Sequence, residues 1–133
     1  MPNLEVKDCN LFYQVDDFTD PWTSPETVLF VHGFTENSEA WRAWVPHLAR
    51  KSRVIRFDQR GFGRSTPVTR DFRFTNELWV DNVARVIEQV AGGSAHVVGA
   101  KSGGLVTIEL AAQRPYLVKS IVLASTPLDP PQP

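Results

Sequence analysis

His96-Val97-Val98-Gly99-Ala100-Lys101-Ser102-Gly103-Gly104-Leu105-Val106 is the stretch from which the architecture of this chain is read. Its first half is an apolar run without polar alternation, which predicts a strand covered on both faces. Glycines then bound a tight turn, and a helix is expected from Gly103 to Gln113, closed by Arg114-Pro115. A strand that bends sharply into a helix holds the side chain at the bend out for chemistry. The spacing Gly99-x-Lys101-x-Gly103 puts an amine there.

Working outward, the same strand-then-helix alternation recurs. Val28-Leu29-Phe30-Val31 is an unbroken apolar run ending in His32-Gly33, and Val54-Ile55-Arg56-Phe57 is another, stopped by Asp58 and a glycine-rich turn. Glu39–Arg50 carries Trp41, Trp44, Val45 and Leu48 at helical spacing, with Pro46 expected to kink or split it. Asn76–Val90 places Leu78, Trp79, Val83, Val86, Ile87 and Val90 on one helix face, ended by Gly92-Gly93. Lys119–Ser125 is expected to be a last buried strand. Leu4–Val15 reads as a hairpin with Val6, Leu11, Tyr13 and Val15 facing inward. The order implies an α/β fold: a mostly parallel sheet with helices on both faces.

The 133 residues suit one domain, and 42% apolar with 22% charged residues is a globular composition. A net charge of −1 gives nucleic acid or an anionic membrane nothing to attract, so neither is expected as a partner. No apolar run reaches the ~20 residues that cross a bilayer. The N-terminus lacks a secretory pattern, so a cytoplasmic location is expected. Cys9 is the only cysteine, and His32, His47 and His96 are scattered. No metal site or cofactor is therefore expected. Cys9 reads as a half-buried strand residue, His47 and His96 as bystanders, His32 as a hydrogen-bonded loop residue, and Trp41, Trp44 and Trp79 as packing.

Three stretches together carry a likeness: Val31-His32-Gly33-Phe34, Asp58-Gln59-Arg60-Gly61-Phe62-Gly63-Arg64-Ser65, and Gly99-Ala100-Lys101-Ser102-Gly103-Gly104. In this order and spacing they resemble the α/β-hydrolase fold family, and the resemblance covers residues 1–133 as the N-terminal part of one such domain. It implies that the Gly33-Phe34 loop beside His32 supplies one oxyanion donor, the Phe34 N–H, and that the N–H of Ser102 supplies the other. Such a donor is typically worth about 3 kcal/mol of barrier. It also implies a structural role for the 58–65 turn, tied together by Asp58 and Arg60.

The chain departs from the family in two ways. Laid on the family pattern without a gap, Lys101 takes the nucleophile position. Sliding the turn by one gives Ala100-x-Ser102-x-Gly104 and makes Ser102 the nucleophile, which needs a strand ending one residue later. A serine gives an acyl-enzyme that water opens, whereas a lysine attacking an ester gives a stable amide. Lys101 suits instead a Schiff base with a ketone or aldehyde, or the binding of an anion. The second departure is that the family's lid, late strands and catalytic histidine have no counterpart in these residues, and Asp129 is a weak candidate for the acid. The expectation is thus an enzyme subunit acting on a small carbonyl compound (ester, lactone or C–C bond), completed by a second polypeptide that carries the histidine. The alternatives are a receptor-like, non-catalytic homologue and a piece of an ordinary serine hydrolase.

Overall fold

The computed structural model of the chain describes residues 2–128. β1 (Asn3–Val6) and β2 (Cys9–Asp16) form the hairpin, with Asp8 at φ 58° in its turn. β3 (Thr27–Val31) leads through a 3-10 helix (Ser38–Trp44) directly into α1 (Val45–Leu48). β4 (Arg53–Phe57), α2 (Asn76–Gln89), β5 (Ala95–Ala100) and α3 (Ser102–Gln113) follow, and β6 (Val118–Ala124) comes last. The strands lie side by side in the order β1-β2-β4-β3-β5-β6. β2 is antiparallel to both neighbours, while β4, β3, β5 and β6 run parallel. The expected α/β architecture is therefore present.

Alternate strand residues face opposite ways, and they divide the core in two. Leu29, Val31, Ile55, Phe57 and Val97 pack with Val80, Val83, Ile87 and Leu110 of α2 and α3. Phe30, Val54 and Val98 pack on the other face with Trp41, Val45 and Ala49. Thr75 begins α2 by accepting a hydrogen bond from the Leu78 N–H at 3.2 Å, one of the donors a helix start leaves unpaired. Pro46 splits the expected Glu39–Arg50 helix. It lies in the first turn of α1, where its missing N–H leaves no bond unmade.

Two expectations are corrected. Val15, expected inside, is exposed one residue from the end of β2, while Phe12 on the opposite face is buried with the Arg64 guanidinium 5.0 Å above its ring. Trp44, though partly open to solvent, packs edge-on against Phe30 and Trp41. β6, expected to be buried, is open on both faces. Ile121 pairs with Val97 and Val122 with Val98, yet they are 37% and 53% exposed. Apolar sequence marks a strand for burial, but the burial itself needs a covering layer, and α3, which reaches β6, leaves these side chains exposed. On the Val122 side a groove of about 650 Å³ runs between Val28, Trp44, Leu48 and Val98.

His96 is not a bystander. At the start of β5 its Nδ1 lies 2.6 Å from the Ser120 hydroxyl, and its Nε2 lies 2.6 Å from Glu26, which also meets Lys119 at 3.2 Å. The rung joins β3, β5 and β6. The His96 hydrogen bond, followed by Lys119, holds the Glu26 carboxyl below its ordinary pKa.

The turn after β4 is tied as expected, around one buried carboxylate. Asp58 accepts from the Ser38 N–H at 2.6 Å and from the Arg64 N–H at 2.8 Å. Ser65 donates to the Asp58 carbonyl and accepts from the Phe12 N–H at 2.9 Å. Arg60 reaches the Lys7 carbonyl at 2.6 Å and Asn82 at 3.3 Å. Asp58→Asn turns one of these acceptors into a donor facing an N–H. It is expected to lower unfolding stability by about 2 kcal/mol, read as a lower urea midpoint at unchanged slope.

Candidate functional site

Lys101 stands at the bend between β5 and α3, with φ 54° and ψ −124°. A side-chain-bearing residue in such a conformation costs about 1–3 kcal/mol and persists only where its surroundings impose it. Here the Lys101 N–H donates to the Ala124 carbonyl at 2.9 Å, and the Lys101 carbonyl accepts from the Gly104 N–H at 3.0 Å. Gly103 makes the bend possible. A Cβ on it would lie 2.5 Å from the carbonyl oxygens of both Val31 and His32. Because α3 starts at Ser102, the gapless register holds for the backbone: Lys101, not Ser102, occupies the apex.

The loop after β3 closes over this bend. A Cβ on Gly33 would lie 3.0 Å from Lys101 Cβ and from Glu36 Oε1, so glycine lets the loop pass without displacing either. The next N–H, on Phe34, donates to Ser102 Oγ at 2.7 Å. The two predicted donor residues are thus brought together, but the Phe34 donor is occupied by the Ser102 hydroxyl. That hydroxyl accepts one hydrogen bond and has its own proton to give.

Glu36, which the sequence reading missed, lies on the same loop. Its Oε1 is 3.0 Å from Lys101 Nζ. That oxygen is shut off from solvent and has no directed hydrogen bond, so the lysine ammonium is what offsets its charge. The lysine side chain itself is 64% exposed. A small cavity of about 170 Å³ opens beside the pair, bounded by Trp41, Ala124 and Ser125. The larger groove along β6 touches none of the residues at the bend.

Residues 26–133 match the family described as alpha/beta hydrolase fold. The chain belongs to that family. Within it, "Probable lysophospholipase BODYGUARD 4" of Arabidopsis thaliana is 36% identical over 131 residues, 93% of this chain and 31% of that protein. The 2-hydroxymuconate semialdehyde hydrolase of Pseudomonas sp. (strain CF600) is 32% identical over 99 residues, 72% of this chain and 35% of that protein. The crystal structure of an epoxide hydrolase from Vigna radiata superposes with a TM-score of 0.85 at 26% identity, covering 99% of this chain and 41% of that one. The chain thus spans about a third of the length of these relatives and less than half of the solved structure.

His32, which the resemblance sets beside the substrate, is fully buried. Its Nδ1 lies 2.8 Å from the Gly33 carbonyl, and its Nε2 accepts from the Gln59 N–H at 2.9 Å. The ring is therefore the neutral Nδ1–H tautomer, with both nitrogens committed to backbone. Gln59 also donates to the His32 carbonyl at 2.6 Å. In this α/β-hydrolase chain the buried His32 ring shapes the donor loop. Asp129 lies outside the described residues. Among those described, no group of three or more His, Cys, Asp or Glu could hold a metal ion, and no helix is long and apolar enough to cross a membrane.

Burial, opposed by the Gly33 hydrogen bond and by the Asp58 and Glu36 charges, pushes the His32 pKa below its ordinary 6.5. Below about pH 6.5 the unfolded chain takes up a proton at this ring that the folded chain refuses. Stability is therefore full above that pH and falls as pH drops toward the folded pKa, by at most about 1.4 kcal/mol per pH unit. Thermal melts between about pH 7 and pH 5 are expected to show this slope. They should not show it in His32→Gln, which keeps an acceptor for the Gln59 N–H.

Proposed function

We propose that these residues form the carbonyl-binding part of an α/β-hydrolase-type enzyme that acts on a small ester, lactone or activated C–C bond. The observation that carries the reading is the conformation of Lys101, forced onto a bend beside the Ser102 hydroxyl and the Phe34 N–H. Lys101, already paired with Glu36, serves as a fixed cation and not as an attacking amine. The substrate carbonyl oxygen takes a hydrogen bond from Ser102 and faces the Lys101 charge, and the Phe34 N–H supports it from behind. Preorganised donors of this kind act where charge develops as the carbonyl is attacked.

The base is a histidine on polypeptide beyond these residues, from the same chain or a second one. It takes a proton from water as the oxygen adds to the acyl carbon, and returns that proton to the leaving group as its bond breaks. The exposed faces of β6 support the placing of further polypeptide there, because an open apolar strand calls for a cover. The likeness to a semialdehyde hydrolase supports a small carbonyl substrate.

A second reading, a receptor-like protein that binds such a compound without turning it over, draws on the Phe34–Ser102 hydrogen bond, which occupies a donor that catalysis would leave open. The test is turnover of phenyl acetate, a γ-lactone and a 1,3-diketone by the purified protein together with the polypeptide that carries the histidine. The enzyme reading expects a loss of about a hundredfold in kcat/KM for Lys101→Met and about tenfold for Ser102→Ala. Binding without turnover, abolished by Lys101→Met, selects the receptor reading. Trapping of Lys101 by borohydride with a ketone would overturn the fixed-cation role.

A further inference from the structure

Phe34 carries the backbone donor of the site and also an aromatic ring that is 55% exposed. The ring stands edge-on to Phe62, with centroids 5.3 Å apart and planes at 75°. Phe62 meets Trp79 at 6.1 Å and Phe74 at 6.1 Å, and Phe74 meets Trp79 at 5.3 Å. Trp79 belongs to the core under α2, so a continuous row of rings runs from the core to the donor loop. Phe62 also stands edge-on to His32 at 5.6 Å, and His32 is clamped by Gln59. An exposed ring anchored in this way loses little freedom when a ligand covers it, which is the condition for using its contact area fully.

Resting on the carbonyl-binding reading, we infer that Phe34 is a specificity-determining residue that selects compounds whose carbonyl is attached to a planar, conjugated ring. Aryl ketones, aryl esters and aryl lactones form that class. The argument is one of reach and of ring electrostatics. An oxygen held by the Ser102 hydroxyl, which itself rests on the Phe34 N–H, places its substituent within one side-chain length of the Phe34 ring. Rings carry a quadrupole that favours offset or edge-to-face contact with another ring over contact with a saturated body of equal area. Phe74, exposed at the next position of the row, widens the same surface.

A matched pair of probes tests this: acetophenone and cyclohexyl methyl ketone, alike in size and apolar area and differing in the π system. Dissociation constants are read from amide shifts of the isotope-labelled protein, for wild type, Phe34→Leu and Lys101→Met. The inference expects acetophenone to bind about fivefold more tightly, the difference between the two ketones to vanish in Phe34→Leu, and both ketones to weaken in Lys101→Met. Equal binding of the two ketones, both still weakened by Lys101→Met, overturns the role of Phe34 and leaves the carbonyl site standing. An aryl preference that survives Phe34→Leu overturns it as well. Binding indifferent to Lys101→Met, or no binding of either ketone at millimolar concentration, overturns the carbonyl site and the inference together.

Discussion

The backbone of Gly103 lies against the carbonyl oxygens of Val31 and His32 so closely that a single added carbon would stand 2.5 Å from each. Through that contact the end of β3 and the start of α3 become one unit. The bend at Lys101 then has no room to relax, and the Gly33-Phe34 loop has only one way to pass over it. His32 completes the arrangement with an imidazole used as a spacer, one nitrogen on each strand's trailing loop. Strain at one residue is thus balanced by packing around it, and the polar groups at the apex are set before any ligand arrives.

Much of this was legible in the sequence because it rests on local patterns. Three glycine turns after three apolar runs define the order of strands, and Gly103 two residues past Lys101 marks the bend. What was not legible depends on groups far apart along the chain. Glu36 meets Lys101 only because the Gly33 loop folds over α3, and nothing in the run 34–38 marks that carboxylate as a partner. Ser102 Oγ was read as a rival nucleophile, yet its position at the first residue of α3 turns it onto Phe34. The Ser102 hydroxyl and the bend lysine were each visible, but the partner each takes, Phe34 and Glu36, needed the geometry.

The same distinction explains β6. Its residues are apolar enough for a core, and periodicity alone assigns them to one. The pairing of His96 with Ser120 and Glu26 shows what holds the strand in register without such a core: a polar rung across three strand starts, backed by hydrogen bonds to β5 alone. Register and burial are separate properties here, the first set within these residues and the second dependent on what covers them.

The Ser102 hydroxyl resting on the Phe34 N–H gives the bend a threshold. Whatever oxygen displaces it has to be the better acceptor, since the exchange trades one hydrogen bond for another. An uncharged carbonyl gains almost nothing from the swap, whereas an oxygen bearing negative charge makes a bond roughly twice as strong. On the proposed reading a neutral carbonyl therefore leaves this bond in place and binds through the hydroxyl's own proton.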